Sequence, residues 1–187
     1  VHKLKAITPL GSDSPRIDTI GALTISEGVD SALASVAARA GQETAVRDLL
    51  AEKLSLSLPD VGRSADAAPL AAFWSAPEQW MITAPHDTHE LLASELKAVL
   101  GDAASVVEQT DGWCRFDVIG DTLEDLFERL SNAPIRTMGA SSVRRTTVEH
   151  VGVFLWRLSE THVAVFGPRS SAASLHHGLI SVAKSIA

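Results

Sequence analysis

Residues 113–130 read WCRFDVIGDTLEDLFERL, a strand followed by a helix with one turn between them. Over residues 113–119, Cys114, Phe116 and Val118 share one side, the period-2 pattern of a half-buried strand. From Asp121 the period changes. Leu123, Leu126, Phe127 and Leu130 stand at i, i+3, i+4 and i+7, which predicts an amphipathic helix over residues 121–130 with Asp121 as its cap. Glu124, Asp125 and Glu128 fall on the opposite, solvated face, where a carboxylate lacks the burial that tunes an acid or base.

Downstream, residues 142–150, 151–158 and 162–166 are rich in β-branched and aromatic residues and read as three strands. Pro168 then leads into a final helix with Leu175, Leu179, Val182 and Ile186 on one face. Upstream, residues 71–84 place Trp74 and Trp80 around a Pro77-Glu78 turn, a hairpin. A helix starting at Asp87 or Thr88 carries Leu92, Leu96 and Val99 and stops at Gly101. Val106-Val107 begin a strand that Asp111-Gly112 would turn into residues 113–119. Earlier still, residues 17–25 alternate as a strand, and Ser31 caps an Ala-rich helix ending at Arg39-Ala40. A further helix runs from Gln42 with Val46, Leu49, Leu50 and Leu54 on one face. Residues 1–16 read as an extended or loosely docked arm. Residues 59–69 read as a loop that is either mobile or in contact with something else. The grammar is α+β: antiparallel sheets with helices on one face. One domain over residues 17–187 is the expectation, with two subdomains about the 59–69 loop as the alternative.

Composition bounds the function. The chain has 187 residues, is 45% hydrophobic, and carries 16 Lys+Arg against 23 Asp+Glu, a net charge of −7. That balance argues against nucleic acid as a partner, and no apolar run approaches membrane-spanning length. A soluble, cytoplasmic protein is expected. Cys114 is the only cysteine, which excludes an internal disulfide; in its alternating strand it reads as a small buried hydrophobe. There is no Gly-x-Gly-x-x-Gly after a strand, no P-loop and no Gly-x-Ser-x-Gly elbow. His86 and His89 lack a third ligand at short spacing, and the adjacent His176 and His177 point about 100° apart, so these histidines read as structural or solvated. Two features stand out. Residues 129–169 hold Arg129, Arg136, Arg144, Arg145, Arg157 and Arg169 against Glu149 and Glu160 only, and residues 151–158 are apolar on both sides. A strand covered on both faces needs a second layer, supplied by the chain itself or by a partner. Arginine and tryptophan concentrate binding energy at interfaces, so Arg145, Trp156, Arg157 and Arg169 are the candidate subunit-interface residues.

Several short motifs occur in an order that resembles one family. Leu58-Pro59-Asp60, Phe73-Trp74 and Pro77-Glu78-Gln79-Trp80-Met81 are followed by Gly152-Val153-Phe154-Leu155-Trp156-Arg157, and then by Phe166-Gly167-Pro168-Arg169-Ser170 ahead of the last helix. Over residues 20–180 this resembles the gamma-subunit family of heterotetrameric sarcosine oxidase. The resemblance implies a fold like the folate-binding aminomethyltransferase domain of the glycine-cleavage system. It also implies alpha, beta and delta subunits as partners in the oxidative demethylation of sarcosine to glycine, releasing hydrogen peroxide and formaldehyde or methylenetetrahydrofolate. FAD, FMN, NAD, zinc and tetrahydrofolate would belong to those other subunits, leaving this chain without a catalytic residue, cofactor or metal. The Lys-Gly-Cys-Tyr-x-Gly-Gln-Glu motif of stand-alone folate-dependent members is absent. A self-sufficient folate-binding protein, with Asp117 as the carboxylate for the pterin, and a homodimeric ligand-binding regulatory module are the alternatives.

Overall fold

A computed structural model describes residues 5–187. Among the described residues eleven strands and four helices follow one another along the chain. They are β1 Ile17–Ile20, β2 Leu23–Gly28, β3 Ser31–Ala38, α1 Glu43–Leu54, β4 Ser64–Ala67, β5 Leu70–Ala76, β6 Gln79–Pro85, α2 Leu92–Leu100, β7 Ala104–Glu108, β8 Trp113–Gly120, α3 Leu123–Leu130, β9 Ser142–Val148, β10 Val151–Ser159, β11 His162–Pro168 and α4 Ala172–Ile186. The fold is two antiparallel sheets with helices, as the α+β grammar implies. One sheet has the order β1-β2-β8-β11-β10-β9, the other β4-β5-β6-β3-β7. The chain divides into two compact units. Unit 1 holds the described residues up to Val29 together with Asp111–Ala140 and Arg144–Ala187; unit 2 holds Asp30–Thr110 and Ser141–Val143.

In unit 1, α3 and α4 lie on one face of the sheet. Leu123, Leu126, Phe127 and Leu130 of α3 and Leu175, Leu179 and Ala183 of α4 enclose Leu23, Ile25, Phe116, Val118, Val153, Leu155, Val163 and Val165. Each such side chain contributes about 1.5–3 kcal/mol by leaving water. In unit 2, α1 and α2 bring Val46, Leu50, Leu92, Leu96 and Leu100 against Ala32, Ala34, Val36, Ala72, Trp80 and Ile82. Two details of close packing set local geometry. Gly167 leaves room for Leu175, whose Cδ1 would lie 2.3 Å from a Cβ there, and Gly178 of α4 takes the side chain of Glu149 against its backbone, 2.4 Å from where a Cβ would be.

Several sequence expectations are corrected. Residues 31–38 form not an Ala-rich helix but the strand β3, paired on both sides by β6 and β7. Its alanines fit there because small side chains let helices approach a central strand, and alanine's helix preference is a weak prior beside two ladders of hydrogen bonds. Residues 17–25 are not one strand. A two-residue turn at Gly21 (φ +56°) and Ala22 pairs Ile20 with Leu23, so Ile17 is 66% exposed while Leu23 and Ile25 are buried. Residues 59–69 are not wholly loop, since β4 pairs with β5. The strand β7 does not turn back onto β8; the two belong to different sheets. The helix expected from Asp87 begins only at Leu92, and α3 is flanked by Thr122 without a side-chain cap, so Asp121 does not cap it. The 1–16 arm is described from residue 5, without helix or strand; its first four residues lie outside the described residues.

Candidate functional site

The strand β8 alternates as its sequence implies. Cys114, Phe116 and Val118 face the helices, and Arg115 and Asp117 therefore project from the opposite side of the sheet. Register across the sheet does the rest. Arg115 pairs with Phe166 on β11 and Gly28 on β2, Asp117 pairs with Ala164 and Ser26, and His162 opens β11 opposite Ile119. The result is a compact charged cluster. Asp117 Oδ1 accepts from Arg115 Nη2 at 2.8 Å and from its Nε at 3.2 Å, and it meets His162 Nε2 at 2.7 Å. Gly28 makes room for it: a Cβ there would lie 2.8 Å from Arg115 Cδ and 3.0 Å from Asp117 Oδ2. The same guanidinium stands 5.7 Å from the centre of the Phe166 ring, which stacks with Trp156 at 6.3 Å.

Burial pushes the Asp117 carboxyl up, but the His162 hydrogen bond and the Arg115 charge together outweigh it and hold the group below the usual carboxylate range. A carboxylate kept ionised in this way is a poor proton acceptor. The cluster suits recognition and rigid positioning better than acid–base chemistry. For a pterin it is a poor fit, because Oδ1 of Asp117 already accepts from Arg115 and lies against His162. Sequence spacing alone places Arg115 and Asp117 on one side; the His162 partner depends on the β8–β11 register, which no local pattern reveals.

The four candidate interface residues are not brought together. Arg157 turns toward the helices and is 5% exposed. It donates to Glu124 Oε1 at 2.9 Å and to the carbonyls of Ile135 (2.6 Å), Glu160 (2.9 Å) and Ser159 (3.2 Å). Trp156, its neighbour, points to the other side and is buried against Phe166. Arg145 is exposed on β9, with its guanidinium 5.9 Å from the Phe154 ring, which lies 5.5 Å from Trp113. Arg169, ahead of α4, donates to the carbonyl of Ile7 at 2.7 Å and lies 3.6 Å from Asp111. The carboxylates expected on a purely solvated face of α3 are instead gathered by arginines: Arg136 reaches Glu124, Asp125 and Glu128 at 3.2, 2.7 and 2.6 Å.

Among the described residues no group of three or more His, Cys, Asp or Glu is placed to hold a metal ion. His89 meets Thr88 Oγ1, His176 meets Asp18 and His177 meets Ser181. Cys114 is buried, and burial pushes its thiol up to about 11. No helix among the described residues is long and apolar enough to cross a membrane.

No protein-family model and no curated protein matches the sequence. Solved structures do match the fold. A chain of the heterotetrameric sarcosine oxidase from Corynebacterium sp. U-96, solved with pyrrole 2-carboxylate, superposes with a TM-score of 0.78 over 90% of this chain and 87% of that one, at 19% identity. Aminomethyltransferase T of the glycine cleavage system from Bartonella henselae superposes with a TM-score of 0.61 over 82% of this chain, at 15% identity; this chain spans 44% of its length. At these identities the likeness establishes the fold.

Proposed function

We propose that this chain is the gamma-type subunit of a heterotetrameric sarcosine oxidase, contributing shape and contact surface rather than a redox centre. The observation that carries the reading is the two-way coverage of the Corynebacterium chain: 90% of this chain and 87% of that one align as one fold. The motifs that resemble the gamma-subunit family fall at structural landmarks, with Phe73-Trp74 and Trp80-Met81 on the β5–β6 hairpin and Arg169-Ser170 at the entry to α4. In this reading alpha, beta and delta subunits carry FAD, FMN, NAD, zinc and tetrahydrofolate. Sarcosine is oxidised there to glycine, with hydrogen peroxide and formaldehyde or methylenetetrahydrofolate as the other products. Affinity capture of this chain from its native source, with mass spectrometry of the associated chains, tests the reading. Stoichiometric flavin-bearing partners are expected, and recovery of the chain by itself or as a homodimer counts against it.

A further inference from the structure

Residues 5–16 run along unit 1 with little apolar anchorage. Thr8 is buried, Pro9 and Leu10 are half-buried, and the other nine residues are exposed; Leu10 packs against the helix-side core. Such a segment is not held by the hydrophobic effect, which scales with buried apolar area. It is held at named polar points. Glu27, 6% exposed near the end of β2, accepts the Leu10 N–H on Oε1 at 2.9 Å and the Arg16 N–H on Oε2 at 2.8 Å. Its own N–H donates to the Arg16 carbonyl at 2.9 Å. Arg169 holds the Ile7 carbonyl at 2.7 Å, while the Ile7 side chain is 55% exposed. Arg16 pairs with Asp18 at 2.8 Å, and Asp18 meets His176 at 2.8 Å. Few buried apolar contacts and a handful of hydrogen bonds are the marks of a segment that opens at far lower free energy than the core beneath it.

We propose that residues 5–16 form a strap that opens and closes as a local unit on an otherwise folded unit 1, with the buried Glu27 carboxylate as its latch and Arg169 as a second catch. This goes beyond the proposed subunit role and does not depend on it. In the closed strap Arg169 is occupied by the chain's own Ile7 carbonyl. Opening exposes the Glu27 carboxylate and the Leu10 side chain and leaves Arg169 with Asp111 at 3.6 Å.

The test is hydrogen exchange in the full chain, with urea kept well below the unfolding transition. In the unaltered chain the amides of Leu10 and Arg16 should exchange at least about a hundredfold faster than those of β8. Glu27→Gln removes one charge-assisted acceptor and is expected to speed both strap amides together about tenfold or more. Val163→Ala weakens the core on β11 and is expected to leave the strap amides within about twofold of their unaltered rate. Strap amides that Val163→Ala speeds as much as Glu27→Gln, unchanged strap amides in Glu27→Gln, or strap amides as protected as β8, each overturns the proposal.

Discussion

Replacing Arg157 by methionine asks whether its guanidinium works inside this chain. The side chain is 6% exposed, and its four hydrogen bonds all end within unit 1. Methionine preserves the apolar stem and its packing, so the loss falls on the polar partners. Ser159 and Glu160 are exposed, and water replaces the donor at their carbonyls. Glu124 keeps Arg136 at 3.2 Å and is 29% exposed, so its share is about 1 kcal/mol. The Ile135 carbonyl keeps the Met138 N–H at 3.2 Å but loses its charged donor at 2.6 Å, which costs about 1–3 kcal/mol. The sum is about 3 kcal/mol, which in a chain of this size lowers Tm by about 6–12 °C. Urea and thermal unfolding of Arg157→Met against the unaltered chain measure it, and a cycle with Glu124→Gln isolates the pair. A change below about 0.5 kcal/mol would show that the side chain is not engaged as described and refute the reasoning.

The Asp117 cluster has a pH signature. Its folded carboxyl lies below its unfolded value, so it stabilises the fold fully above the usual Asp pKa of about 3.9, and that stabilisation is lost as pH falls through the folded value. The stability gap between the unaltered chain and Asp117→Asn should therefore shrink as pH falls below about 4; a gap that widens there would reverse the sign. Gly28→Ala drives a Cβ into Arg115 and Asp117 and should cost about 1–3 kcal/mol in urea unfolding, a penalty that shrinks in an Arg115→Ala background. In α4, Gly178→Ala should fail to deliver the usual helix gain of about 1 kcal/mol because Glu149 occupies the space. Paired with Glu149→Gly, which also relieves a φ of +47°, it should stabilise, and calorimetric Tm values of the four proteins in that cycle decide.

Much of the fold is written in local patterns, and the failures share a physical cause. The helices α1, α3 and α4 announce themselves through periodicity because each buries one face, while the β5–β6 hairpin and the strands β9 to β11 do so through β-branched and aromatic runs, with β6, β10 and β11 buried on both faces. The strand β3 does not, because Ser31–Ala38 is central to its sheet and made of small residues that satisfy both helix and strand rules; only its partners β6 and β7 decide. The link from Glu108 to Trp113 reads locally as a hairpin turn, yet it passes the chain from one sheet to the other, a long-range choice. The site follows the same division. Arg115 and Asp117 share a face by spacing alone, whereas His162 reaches them through register, and Arg157 looks like a surface arginine in sequence until Glu124 and Ile135 are seen around it.

The central claim is that this chain shapes an oxidase without performing its chemistry. Sarcosine-dependent oxygen consumption, measured on the purified chain and on the assembly recovered with it, tests this most directly. The account predicts no consumption and no flavin absorbance for the chain alone, and both for an assembly that contains it in one-to-one ratio with its flavin-bearing partners. Turnover of sarcosine by the isolated chain, or an active native oxidase that contains no copy of it, would contradict the account.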